Sequence, residues 1–123
     1  MMPNVLVVGG VLACSHQGRA KLSSGDSRLT VDGNDAVVRG QEVGISFATG
    51  SPGVEAPCPF STNAGPSPCA ATLAATAGFS SKLTVGGVQV LLDTALGNAT
   101  NPQDSSATWS VADPGQRKLT ADE

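Results

Sequence analysis

Four side chains in this sequence carry the chemistry of metal ligands: Cys14, His16, Cys58 and Cys69. Three cysteines and one histidine are the donor set of a closed structural zinc site, in which thiolates and an imidazole fill every position. Cys14 and His16 stand two residues apart. On a strand, alternate residues share a face, so both side chains would reach one ion. Cys58 and Cys69 each follow a proline, Pro57 and Pro68, and Cys58 also precedes Pro59. Proline restricts its own φ and the residue before it, so both thiols would be presented from stiff backbone. A metal tying residues 14 and 16 to 58 and 69 closes long loops, where a cross-link removes the most unfolded-state entropy.

Three other chemistries fit the same residues. Cys14 and His16 can be read as a nucleophile and its base, although no orienting acid is evident and the spacing does not give the usual geometry. Cys58 and Cys69 can be read as a disulfide formed after release from the cell, with Cys14 left over from the odd count. All three cysteines can also be buried apolar side chains. Other motifs carry less. Val8-Gly9-Gly10 lacks the Lys-Ser/Thr of a phosphate loop. Asp26, Asp32, Asp35 and Asp93 lack calcium-loop spacing and suit turns. Asn98-Ala99-Thr100 is a glycosylation sequon, without consequence in a bacterial-type cytoplasmic product. No carboxylate pair or serine triad stands out, and the chain is expected not to be an enzyme.

The elements that must position these residues are bounded by composition. The chain has 123 residues, 40% hydrophobic but 3% aromatic, with 15 glycines and 8 prolines. That length suits one domain. A core of Val, Leu and Ala in so small a domain gains much from a staple. No apolar run approaches the ~18 residues of a spanning helix. Charge is too sparse and apolar content too high for a disordered chain. Glycine and proline interrupt every long stretch, which excludes coiled coils and long bundles. The net charge is −3 and the seven bases form no stripe, which argues against nucleic-acid binding. The opening MMPNVLVVGG lacks the basic residues that precede a secretory signal, so it reads as a first strand made in a reducing cytoplasm.

The strongest pattern is an internal repeat. SRLTVDGNDAVV (27–38) aligns with SKLTVGGVQVLL (81–92). Each copy reads as a β-hairpin around a two-residue turn, Asp32-Gly33 or Gly86-Gly87, pairs that tolerate the two positive φ values of a type I′ turn. Val5 to Leu12, broken at Gly9-Gly10, reads as two short strands or one bulged strand. Val43 to Ala48 and Ala107 to Val111, with Trp109, read as further strands. Residues 50–69 form a proline-rich connection too long for an ordinary loop. Ala70 to Ala77, AATLAATA, reads as a short helix ended by Gly78. Residues 1–112 form the domain, and 113–123 read as a frayed, flexible tail. The fold class expected is all-β.

Two glycine-turn hairpins with an upstream Gly9-Gly10-Val11-Leu12-Ala13-Cys14-Ser15-His16-Gln17-Gly18 resemble the PAAR and PAAR-like spike-tip proteins of contractile injection systems. Leu29-Thr30-Val31-Asp32-Gly33-Asn34-Asp35-Ala36 is similar to that family's hairpin unit. Pro57-Cys58-Pro59 and Pro66-Ser67-Pro68-Cys69, with the alanine-rich segment after them, look like its cysteine-bearing subgroup. The resemblance covers about residues 4–112. It implies a small β cone whose broad base sits on a trimeric β-helical (VgrG-like) spike protein, one monomer per trimer. It also implies a zinc or iron ion near the vertex, held here by Cys14, His16, Cys58 and Cys69. Type VI secretion, phage tails and tail-like particles use such tips for membrane piercing. Cargo effectors are further partners, and the target membrane is met only transiently. The tip would be assembled in the cytoplasm and expelled with the particle. The family's ligands are mostly histidines, whereas this chain offers one histidine and three cysteines. The competing reading is a small β-sandwich binding or adhesion module with a Cys58–Cys69 disulfide.

Overall fold

The structure, a computed structural model, describes residues 3–122. Met1 and Met2 of the expected first strand, and Glu123 of the expected tail, lie outside the described residues. These contain strands and no helix. In chain order the strands are β1 (Val11–Cys14), β2 (Arg19–Lys21), β3 (Asp26–Val31), β4 (Asn34–Ala36), β5 (Val54–Ala56), β6 (Ser61–Thr62), β7 (Gly65–Pro66), β8 (Ala71–Val85), β9 (Val88–Thr100) and β10 (Thr108–Asp113). One antiparallel sheet runs β5-β2-β1-β10-β9-β8, and β3-β4 and β6-β7 are separate hairpins.

Both copies of the repeat form hairpins. In β3-β4, Val31 pairs with Asn34 around Asp32 (φ 54) and Gly33 (φ 83). In β8-β9, Val85 pairs with Val88 around Gly86 (φ 60) and Gly87 (φ 82). Positive φ at both central residues is the type I′ geometry that matches strand twist. Val31 and Val85 turn inward and are buried, while Thr30 and Thr84 face out.

The structure adds a third copy. Thr120 bridges Asn4 antiparallel, Val5 N–H donates to the Leu119 carbonyl, and Ala121 N–H donates to the Pro3 carbonyl. Lys118-Leu119-Thr120-Ala121 therefore occupies the place of Arg28-Leu29-Thr30-Val31 and Lys82-Leu83-Thr84-Val85. Its partner strand comes from the opposite end of the chain. The segment after residue 113, read above as a loose tail, is packed on the domain. Gln116 is buried, donating to the Val5 and Leu119 carbonyls and accepting from the Lys118 and Leu119 amides.

The second strands of the three copies close a ring. Leu6 N–H donates to Leu91, Leu91 N–H to Val37, and Val37 N–H back to Leu6, each over 2.9 Å. The bridges repeat the pattern: Val5 with Leu92, Val38 with Val90, Val7 with Ala36. Alternation then splits the core in two. Leu6, Val37 and Leu91 face one apolar cluster, which contains Trp109, Phe47 and the three cysteines. Val5, Val7, Ala36, Val38, Val90 and Leu92 face another, enclosed by Val31, Val85 and Ala121 with Leu29, Leu83 and Leu119 packed against it. Fully burying a Val or Leu side chain contributes ~1.5–3 kcal/mol, so this pseudo-three-fold end is a core in its own right.

Two expected elements differ. Residues 71–77 are strand, not helix. Alanine's helical preference amounts to a few tenths of a kcal/mol per residue and yields to tertiary context. Here small side chains let β9 and the Trp109 ring lie close: Trp109 Nε1 donates to the Leu73 carbonyl, and a Cβ on Gly97 would meet Nε1 at 2.6 Å. Gly78 does not cap a helix. At φ 82 it sits where β8 slips register against β9, its α-carbon against the Ala95 backbone. Val43 to Ala48 is loop rather than strand. Gly44 (φ 85) turns the chain there, and the buried Glu42 carboxylate just before it accepts the Gly40 and Ala75 amides.

Candidate metal centre

Cys14 ends β1, and Cys58 and Cys69 flank the β6-β7 hairpin in the proline-rich segment. Backbone bonds hold that segment against the sheet: Cys58 N–H donates to Phe47, Phe47 N–H to Cys69, Ala70 N–H to Thr100. All three cysteines are buried free thiols, and their sulfurs lie within 4.8 Å of one another. Three of the four expected ligands are thus brought together within reach of one ion.

The surroundings suit anionic sulfur. Gly18 N–H donates to Cys14 Sγ at 3.1 Å, with the His16 amide a second donor. The Cys69 and Phe60 amides serve Cys58. Asn101 Nδ2 reaches Cys69 Sγ at 3.8 Å. Cys14 receives the amide of the residue two positions on, and so does Cys58, an arrangement that stabilises thiolate and hence metal–thiolate bonds. Burial pushes all three thiols up. For Cys58 the amide donors and the neighbouring thiols Cys14 and Cys69 outweigh it, and its pKa falls below the ordinary value. For Cys14 burial prevails. Cys69 is pushed up to about 12 by burial and by the negative charge its neighbours carry when ionised. Without metal, Cys58 is therefore the most readily ionised of the three sulfurs. A thiophilic cation bound here would be held by the three sulfurs and would displace the protons they carry.

His16 is not drawn into the cluster. It lies in the turn between β1 and β2, where strand alternation no longer applies, and its ring stacks on Phe60 with centroids 4.1 Å apart. Its Nε2 is 2.6 Å from Asp104 Oδ2. Asp104 and Asn101, both in the β9-β10 connection, were not among the residues singled out from sequence. They sit in a polar stretch with no ligand spacing, and only the fold carries Asn101 to Cys69 and Asp104 to His16.

Comparison with protein-family models, with curated proteins and with solved structures finds no match to this chain.

Proposed function

We propose that this chain is a metal-clipped spike tip: a rigid, non-catalytic cap whose pseudo-three-fold end seats on a trimeric β-helical protein, one chain per trimer. The observation that carries this reading is the closed ring of hydrogen bonds through Leu6, Leu91 and Val37. A single chain that must match three identical subunits gains from presenting three equivalent elements, because each subunit then meets the same surface. The two hairpins and the third strand pair supply those elements, with Leu29, Leu83 and Leu119 as their half-buried apolar members. A cone-like outline, narrowing toward the cysteine side, is part of the proposal.

Zinc is the metal proposed, since thiolates with imidazole select it among common divalent ions, with iron the second choice. Its role here is to hold the proline-rich segment to β1. In the proposed life of the protein, it loads metal and assembles in the producing cell, and then leaves with the spike. Cargo and a target membrane are met only on that journey. No helix among the described residues is long and apolar enough to cross a membrane.

The test is co-expression with trimeric β-helical spike proteins, followed by native mass spectrometry. One chain bound per trimer supports the reading. A monomer that binds no such trimer, with Cys58 and Cys69 oxidised to a disulfide, supports the adhesion-module reading instead.

A further inference from the structure

The loop joining β9 to β10 touches Cys69 through Asn101 and His16 through Asp104. Asn101, buried at one end of the loop, holds the segment that carries Cys69: its Nδ2 donates to the Ser67 carbonyl at 2.9 Å and reaches the Cys69 sulfur at 3.8 Å. Its Oδ1 accepts from Ser67 Oγ and the Gln103 amide. Three residues on, Asp104 meets His16 across the chain. Asp104 is itself fixed: Oδ1 accepts both the Ser106 amide and the Ser106 hydroxyl, at 2.9 and 2.6 Å. That leaves Oδ2 for the histidine.

The ring contact has a chemical consequence. An ionised carboxylate only accepts, so the nitrogen 2.6 Å from Asp104 Oδ2 carries the proton. In the neutral imidazole the lone pair then resides on Nδ1. A carboxylate that holds one ring nitrogen as N–H while the other binds metal is the recurrent second layer of histidine–metal sites. The histidine is also tied to both cysteine turns. Its own amide serves the Cys14 sulfur, and its ring stacks on Phe60, whose amide serves Cys58.

Resting on the reading that the cysteines bind metal, we propose that Asp104 is a positioning residue for the fourth ligand: it presents His16, through the Nε2–H···Oδ2 bond, to complete the three-cysteine centre through Nδ1. Three sulfurs leave one position of a four-coordinate ion to fill. His16 stands two residues from Cys14 in a turn closed by Cys14 and Gly18, and because its ring lies outside the cluster here, the proposal requires that turn to shift when metal binds. Asp104 therefore acts on metal affinity through the histidine rather than by touching the ion.

The experiment uses Co(II) as a spectroscopic stand-in on the full chain, comparing wild type with His16→Ala and Asp104→Asn. Thiolate charge-transfer absorption reports the sulfurs, and visible ligand-field bands report the fourth ligand. Both variants are expected to keep the charge-transfer intensity, shift the ligand-field bands and bind Co(II) about 10- to 100-fold more weakly. Identical spectra and affinities in all three chains would show that the His16–Asp104 pair is only a structural clasp, and would overturn the proposal alone. No Co(II) uptake by the wild type would overturn the metal centre itself. Should a variant fail to fold, X-ray absorption of the zinc-loaded wild type decides: imidazole outer-shell scattering is expected, and its absence is contrary.

Discussion

The guanidinium of Arg28 lies over Gly86, so close that a Cβ at residue 86 would strike it. Gly86 stands where the other two copies of the repeat carry Asp32 and Asp122. In those copies each aspartate takes a lysine from a neighbouring copy: Lys118 to Asp32 at 2.8 Å and Lys82 to Asp122 at 3.0 Å. Arg28 occupies the equivalent place over a copy that has no carboxylate, and it turns to Asp26 on its own strand at 2.6 Å. The ring of clasps around the three-fold end is thus complete in cations and one short in acids.

Gly86→Asp should complete it. The backbone at residue 86 (φ 60) matches that of Asp32 (φ 54), so an aspartate is accommodated. The obstacle is the flexible end of Arg28, which can swing onto the new carboxylate. Exposed ion pairs contribute about 0–1 kcal/mol. The variant should therefore fold and melt within a few degrees of wild type. Its stability relative to wild type should be greater at low salt than at high salt, where the pair is screened. Melting curves at the two ionic strengths check this. A large loss at both would mean that the three copies are not equivalent around the turn.

Gly78→Ala should do the opposite. This glycine also has positive φ, but what a Cβ would meet is the Ala95 and Thr94 backbone of the paired strand. Backbone cannot rotate aside, so β8 and β9 would have to separate at the register slip. Strain and overpacking of this kind typically cost 1–3 kcal/mol each, and here both apply. The expected result is a loss above ~3 kcal/mol, read from denaturant unfolding. A variant as stable as wild type would contradict the close packing at Ala95.

Two glycines with positive φ thus have opposite tolerances, and only one of the two was legible in sequence. Turn glycines announce themselves between β-rich runs, which is why both hairpins could be read from Asp32-Gly33 and Gly86-Gly87. Gly78 followed an alanine run and suggested a helix cap, because nothing local records that Trp109 needs small neighbours. The third copy was visible as Lys118-Leu119-Thr120, but its partner strand lies at the other end of the chain and hairpin patterns are sought between neighbours. The cysteines were legible by type. His16 was placed by an alternation rule that stops where β1 stops. Asn101 reaches Cys69, and Asp104 reaches His16, through the fold alone.

The thiols give a pH prediction for the metal-free chain. Cys69 in the folded protein is pushed from the ordinary 9.0 up to about 12, chiefly by burial. A raised folded-state pKa means that folding holds the proton. The associated stability is fully present below pH 9 and is lost as pH rises through 12. Chemical denaturation of the chelator-treated protein should show stability declining above pH 9, with Cys69→Ala flattening that decline. Metal loading reverses the logic, since bound thiolates carry no proton to lose. The loaded chain should instead lose metal as pH falls. In the metal-free chain Cys58, whose pKa is lowered, should be alkylated before Cys14 and Cys69. A Cys69 that reacts first would contradict the assignment.

The three-fold reading makes its sharpest prediction at Leu29, Leu83 and Leu119. Each is half-buried against the cluster enclosed by the three copies, at the same position of its copy. On a trimer with three identical subunits, each leucine should meet the same partner surface. Leu29→Ser, Leu83→Ser and Leu119→Ser, made one at a time, should weaken binding to the trimer by similar amounts, about 1–2 kcal/mol or roughly 5- to 30-fold apiece. Leu73→Ser, an exposed leucine outside the three copies, should leave binding unchanged. Affinities measured by surface-immobilised trimer, with melting curves to confirm that each variant is folded, separate the cases. Similar losses at all three leucines require a docking surface that repeats with the ring. A loss confined to one leucine would place the partner on one flank of the molecule and remove the reason for a trimer.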